Sequence, residues 1–303
     1  MGKDKEDSAE KRIRKFANQV AEMRSKEALD DESLAFIHKF LVTGAFPHSN
    51  PKKDFYSIVN GKHAIWVRGG SDVDTKTGKK IKHGVPYGTL PRLITSWITT
   101  EAYKKKSRKI QLGLSLSHFL KMLDLDVAGG KNGTINRVKD QLQRLCHCEI
   151  GYKTSTNKEG KIHHESRRYK LISGEEFWEW KQPGQTELFG SYILLTEGFF
   201  NKLMERPVPV DMRALKTLKS SALALDLYMW LTYRVSYLDG HTELNWNQVM
   251  NQLGAEYKHT HRFAQKCKKH LKKIKAFWPE LNYKTPYGRL RIEASVPHIK
   301  PGS

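Results

Sequence analysis

The sequence is short of cysteine, of acid and of long apolar runs, and each shortage removes a class of protein. Three cysteines, Cys146, Cys148 and Cys267, stand in 303 residues, an odd number that makes no disulfide framework and fits a reducing compartment. Cys146-His147-Cys148 has no second cysteine pair to complete a zinc site, so no metal ligands are expected. No apolar stretch approaches the ~20 residues needed to span a bilayer. The charged opening Met1-Gly2-Lys3-Asp4-Lys5-Glu6 has no apolar segment behind it to act as a secretion signal. Met1-Gly2 lacks the context of a myristoylation site. No membrane partner is therefore expected, and the cytoplasm is the expected compartment. Acids are outnumbered, 32 against 53 lysines and arginines, for a net charge of +21. Such a balance attracts polyanions, nucleic acid foremost.

The positive excess is uneven. Lys3 to Asp30 alternates acid and base, with Ile13, Phe16, Val20 and Met23 as sparse apolar points. This reads as a charged helical arm, residues 1–33, solvated or partly disordered. Leu34, Ile37, Phe40 and Leu41 then suggest a short helix. Asn60-Gly61 between Phe55–Val59 and Ala64–Val67 is a hairpin signal. Leu93, Ile94, Trp97 and Ile98 carry the stripe of a buried helix, which closes on Lys104-Lys105-Lys106 and Arg108-Lys109.

The chain is organised around Leu114 to Ile150. Ser115 suits the cap of a short helix through Leu116, Phe119, Leu120 and Leu123. Ala128 to Gly133 is a turn, and Thr134 is placed to cap a second helix. Ile135, Val138, Leu142 and Leu145 form that helix's apolar face, opposite Asn136, Arg137, Asp140, Gln143 and Arg144. Cys148, Ile150 and Tyr152 alternate as a strand. A charged tip at Thr156 to Gly160 leads to a return strand through Arg168, Tyr169, Lys170 and Leu171. Helix, turn, helix and a two-stranded wing make a winged helix, which offers a polar helix face to a DNA groove. Two amphipathic helices and a hairpin also occur in α+β domains with no nucleic-acid partner.

The Pro/Gly segment within Gly174 to Gly190 is the expected boundary. The first winged-helix domain is set at 34–180, a linker at 181–190 and a second domain at 191–303. The second half repeats the first. Tyr192 to Thr196 reads as a strand, Glu197 to Glu205 as a helix and Pro207 to Val210 as an extended connector. Asp211 to Leu218 reads as a short helix and Ala222 to Tyr237 as a long buried one. A strand at Thr242 to Trp246 enters a helix ended by Gly254. From His259 to Trp278, Phe263, Cys267, His270, Ile274 and Phe277 share one face. Arg262, Gln265, Lys268, Lys269, Lys272 and Lys275 share the other. No acid occurs from Tyr257 to Trp278. Like charges at helical spacing repel mildly, so an acid-free face favours an anionic partner over simple solvation. The fold class expected is α+β: tandem winged-helix domains behind a charged N-terminal helical arm.

Two separated segments resemble the plasmid-encoded RepA-type replication initiators. One runs from Pro86-Tyr87-Gly88-Thr89-Leu90-Pro91-Arg92 through Trp97-Ile98-Thr99-Thr100-Glu101-Ala102, Ser107-Arg108 and Leu112-Gly113. It continues through Ser115-Leu116-Ser117 to Gly129-Gly130-Lys131-Asn132-Gly133-Thr134. The other is Pro207-Val208-Pro209-Val210-Asp211-Met212-Arg213-Ala214-Leu215 with Ala224-Leu225-Asp226-Leu227-Tyr228-Met229-Trp230-Leu231-Thr232-Tyr233-Arg234. The resemblance covers about residues 55 to 297 and implies tandem winged helices on repeated sites of double-stranded origin DNA. It further implies help in melting an A·T-rich region, recruitment of the host replication initiator and helicase machinery, and frequent repression of the protein's own promoter. Proteins of this type can be inactive homodimers and active monomers.

Arg137, Lys268 and Lys272 are the leading candidate groove contacts, joined by Asn136, Arg144, Lys131, Arg262, Gln265, Lys269 and Lys275. Arg167, Arg168, Arg289 and Arg291 are candidates for phosphate contacts from the wings. No catalytic residues and no cofactor are expected. His163-His164 and His259-Thr260-His261 lack the His-hydrophobe-His pattern of a rolling-circle nickase. Gly129 to Thr134 is too short for an ATP-binding phosphate loop. A tandem winged-helix repressor without origin activity is the rival reading.

Overall fold

The computed structural model describes residues 3–25, 33–43, 46–113, 115–130, 133–158, 161–176 and 191–299. In chain order these form α1 (Lys3–Ser25), β1 (Leu34–Ile37), a 3₁₀ turn (Lys39–Thr43), β2 (Phe55–Asn60), β3 (His63–Arg68), β4 (Ser71–Val73) and β5 (Lys80–Lys82). There follow α2 (Thr89–Lys105), β6 (Lys109–Gln111), α3 (Leu116–Met122), α4 (Thr134–His147), β7 (Glu149–Lys158), β8 (Lys161–Lys170) and β9 (Ile172–Glu176). The remainder is β10 (Tyr192–Leu195), α5 (Glu197–Glu205), β11 (Val208–Asp211), α6 (Met212–Leu218), α7 (Ala222–Val235), β12 (His241–Asn245), α8 (Trp246–Gln252), α9 (Thr260–Phe277), β13 (Tyr283–Lys284) and β14 (Arg289–Glu293).

Two segments share one connectivity. α2, β6, α3, α4, β9 and β10 run helix, strand, helix, helix, strand, strand, with the β7–β8 hairpin inserted between α4 and β9, and their antiparallel sheet has the order β6-β10-β9. α7, β12, α8, α9, β13 and β14 run the same way, with the order β12-β14-β13. In both, the last strand lies between the other two. Leading helices α2 and α7 are buried along most of their length. Ile94, Trp97, Leu225 and Trp230 belong to a single continuous core, each side chain contributing about 1.5–3 kcal/mol by burial.

The β7–β8 hairpin, expected to be the first wing, pairs instead with the β2–β3 hairpin in a four-stranded sheet, β2-β3-β7-β8. Sequence alternation locates strands but not their partners, and β3 gives the ten-residue β7 a neighbour on its other edge. Tyr192–Leu195, expected to open the second half, is the middle strand of the first sheet. Leu34 to Ile37 is a strand rather than a helix. Its run is too short for periodicity to decide, and pairing with β11 decides it. Thr100 Oγ1 also accepts a hydrogen bond from Phe36 N at 3.0 Å. The connector at 208–211 is thereby a strand too. Gly133, not Thr134, precedes α4 at its cap, with no side-chain hydrogen bond. Ser115 caps α3 as expected, accepting from His118 N.

In the four-stranded sheet Gly151 sits opposite Trp66. A Cβ on Gly151 would lie 1.9 Å from the Trp66 ring, so the indole lies flat over the bare backbone. Arg168, on the far strand, reaches that ring at 5.8 Å. Gly151→Ala is expected to displace the indole and cost about 1–3 kcal/mol, as overpacking does. Urea unfolding checks this, and a stability change under 0.5 kcal/mol would show that the ring moves freely.

Candidate nucleic-acid interface

The outer face of α9 is strongly cationic. Phe263, Cys267, Leu271, Ile274 and Phe277 anchor the helix in the core. Helical spacing then turns Arg262, Gln265, Lys268, Lys269 and Lys272 outward, and all five are exposed. His261, Gln265 and Lys268 line a groove whose other walls are Trp246 and Asn247 from α8 and Tyr287-Gly288 between β13 and β14. Lys268 Nζ lies 6.0 Å from the Trp246 ring centroid. Tyr287 at the rim is fully exposed. His270, on the flank, has its pKa lowered to about 4 by burial and by Lys273, Lys269 and Lys266, so the ring is neutral.

Lys275 does not belong to this face. Its ammonium donates to Pro279 O at 2.6 Å and Leu281 O at 2.7 Å, tying the segment that follows α9 back to the helix. Lys273 lies 5.5 Å from the Phe16 ring, because α1 docks along α9 with Met23 buried. The arm, in its described part, is thus a packed helix. Arg289 pairs with Glu243 at 2.9 Å while remaining exposed. Arg291 is half-buried, with Glu293 at 3.5 Å.

On α4 the side chains divide differently. Arg137 is exposed. Asn136 is exposed too, but its amide donates to Gly130 O at 2.9 Å and ties down the preceding turn. Arg144 is committed to the fold: it pairs with Asp140 at 2.9 Å, donates to Val85 O at 3.2 Å, and lies over the Tyr87 ring. Lys131 lies outside the described residues. Arg167 and Arg168 stand on β8, an edge of the four-stranded sheet and not a wing beside α4; Arg167 pairs with Glu165 at 2.7 Å. The structure therefore brings Arg262, Gln265, Lys268, Lys269 and Lys272 together, and removes Lys275 and Arg144 from the accessible set.

Two clusters were missed by sequence reasoning. Buried Arg92 of α2 forms a two-pronged pair with buried Asp226 of α7, Nε–Oδ1 and Nη2–Oδ2 both at 2.6 Å. His48 Nε2 lies 2.8 Å from the same carboxylate. Arg92 and Asp226 are the charges within the buried stretches 90–100 of α2 and 222–232 of α7, and that is the signal which pairs them. The second cluster is Asp72, His83 and His147, whose members are scattered in sequence and carry no spacing signal.

A family model for the plasmid-encoded RepA protein matches residues 85–251. The chain belongs to this family of replication initiators. No curated protein sequence matches the chain. Among solved structures, domains 2 and 3 of RctB are similar at a TM-score of 0.53 and 12% identity, over 85% of this chain and 96% of that one. A second structure of RctB domains 2–3 gives 0.51 and 12%, over 84% and 96%. At that identity the likeness is one of fold. Among the described residues no helix is long and apolar enough to cross a membrane.

Proposed function

We propose that this chain initiates plasmid replication in the bacterial cytoplasm by gripping repeated origin sites with two winged-helix units. It acts as a DNA-binding protein and not as an enzyme. The observation that supports the reading is the repeat itself: two units with the same sheet order, the first interrupted by the β7–β8 hairpin, each with a helix (α4, α9) that this reading takes as the recognition helix. α4 offers Arg137 and α9 offers the acid-free face of Arg262, Gln265, Lys268, Lys269 and Lys272. In this reading each unit runs from its leading helix to the middle strand of its sheet, so the first closes at β10. The turn at Tyr287 is the second wing.

The two helices have different work. Arg137 is suited to a two-pronged hydrogen bond with a guanine edge. The α9 lysines act as point charges on phosphates, setting register and salt dependence. Two units in tandem would reach successive major-groove faces about 34 Å apart, which suits direct repeats bound by a monomer. In this reading the chain also opens adjacent A·T-rich DNA, recruits the host initiator and helicase, represses its own promoter and is held inactive as a homodimer; membership of the family supports this part of the proposal.

The test is footprinting of the purified chain on DNA flanking its own coding sequence, at near-physiological salt with random competitor. Protection over direct repeats, about two helical turns per repeat, is the expected result. A single operator-like footprint would favour the repressor. Salt-sensitive coating without sequence preference would overturn the assignment of both recognition helices.

A further inference from the structure

The Asp72, His83 and His147 cluster lies away from the α9 face, and its parts come from three places. Asp72 is on β4, His83 follows β5, and His147 is the last residue of α4. The β4–β5 hairpin is closed at its neck by His83 N donating to Gly70 O at 2.9 Å. Gly70 lets this neck press against the end of α4: a Cβ there would lie 2.0 Å from His147 O. One potential ligand atom from each of the three side chains falls within 4.8 Å of the others.

Hydrogen bonding leaves Nε2 of each ring open. His147 Nδ1 lies 2.8 Å from Gln143 O. A carbonyl only accepts, so Nδ1 carries the proton and the neutral ring keeps a lone pair on Nε2. That Nε2 faces Asp72 Oδ2 at 3.5 Å and Glu175 Oε1 at 3.7 Å. Both distances are beyond a good hydrogen bond. They are close to the separation of about 3.4 Å between two ligands on a tetrahedral ion with bonds near 2.0–2.1 Å. His83 Nε2 is buried and has no hydrogen-bond partner; its ring lies face to face with that of His147, centroids 4.2 Å and planes 20° apart, so an ion shared in both ring planes requires the His83 ring to turn about its Cβ–Cγ bond. A buried imidazole nitrogen without a partner is costly unless something accepts its lone pair.

We propose that Asp72, His83 and His147 bind a zinc ion that clips the β4–β5 hairpin to the end of α4. Two imidazoles and a carboxylate are a ligand set that zinc takes and that disfavours magnesium and calcium. Glu175, 3.7 Å from His147 Nε2, balances the remaining positive charge, and water takes the fourth position. The cysteines on either side of His147 take no part: both are buried, and Cys148 Sγ bonds Leu145 O at 3.4 Å. The clip would fix Lys76, Lys79, Lys80 and Lys82 at the C-terminal end of α4.

The experiment uses the full chain without a histidine tag, stripped with chelator and titrated with Zn²⁺ against a chromophoric competitor. The expected result is one zinc per chain, with affinity lowered at least tenfold in Asp72→Asn and in His83→Ala. Asp72 is exposed, so its substitution leaves the fold intact. Zinc should also slow tryptic cleavage within residues 76–80 of the wild type but not of Asp72→Asn. Unaltered binding in both variants, or binding abolished by replacing His163-His164 or His259 and His261 instead, would overturn the site. So would failure to take up zinc at equimolar metal. Footprinting reads the DNA-binding proposal separately.

Discussion

Replacing Asp226 with alanine is expected to destabilise the protein by about 3–5 kcal/mol, the cost of leaving a buried charge without its partner. Arg92 and Asp226 are each 1% exposed, so no water replaces a lost partner. The guanidinium also donates to Phe46 O and Gly88 O, both at 2.6 Å. Those carbonyls hold it in place but leave its charge uncompensated. His48 loses its acceptor as well. Against a total of about 5–15 kcal/mol for a domain, this loss approaches global unfolding. A double variant, Arg92→Met with Asp226→Leu, separates charge from packing, because replacing a whole buried pair by apolar groups is often close to neutral. The pH dependence has a definite sign. Burial by itself would raise the Asp226 carboxyl, but the Arg92 charge and the His48 hydrogen bond together lower it below the ordinary 3.8. A depressed folded-state value contributes stability that is present above the unfolded value and is lost as the pH falls through the folded one. The wild type should lose more stability than the double variant on acidification below about pH 4. Urea unfolding at neutral and acid pH measures both effects. A loss under 1 kcal/mol for Asp226→Ala would mean that the pair does not join α2 to α7 energetically.

That pair also marks the limit of what the sequence disclosed. The helices α2, α5, α7 and α9 were legible because each has a long apolar stripe or a clear break: Glu197–Glu205 was expected to the residue, and Asn60-Gly61 fixed its hairpin through the positive φ of Gly61. Partnership was not legible. Nothing in Tyr192-Ile193-Leu194-Leu195 says that it pairs with Ile172–Glu176 and Lys109–Gln111 rather than with a strand downstream. Alternation reports that one face is buried, not what covers it. For the same reason Leu34–Ile37 reads from sequence as a helix, and the β7–β8 hairpin as a wing. The acid-free stretch places Arg262, Gln265, Lys268, Lys269 and Lys272 on one exposed face of α9. Yet a lysine on that helix could not be told from its neighbour by charge: Lys275 is held by two carbonyls while Lys272 faces solvent. Arg144 was likewise indistinguishable from Arg137 until Asp140, one turn before it, and the Val85 carbonyl were in place.

The second large effect separates those lysines. Replacing Lys268 and Lys272 together with alanine should flatten the dependence of log K on log salt by about two units, since each phosphate contact releases close to one counterion. At 0.15 M salt that release amounts to about fivefold per contact, so the double variant should bind DNA roughly 30-fold more weakly, on cognate and random sequence alike. Lys275→Ala is the matched control. It removes the same charge from the same helix, but its ammonium is spent on Pro279 O and Leu281 O. It should leave the slope within about half a unit of the wild type and lower stability by about 1 kcal/mol instead, the worth of a charged hydrogen bond at a helix end. Both quantities come from titrations at several salt concentrations combined with urea unfolding. A slope unchanged in Lys268→Ala/Lys272→Ala would remove the α9 face from the DNA contact. Equal slopes lost from Lys275→Ala and from each exposed lysine would mean that the helix attracts DNA only through its total charge, with no defined docking of one face.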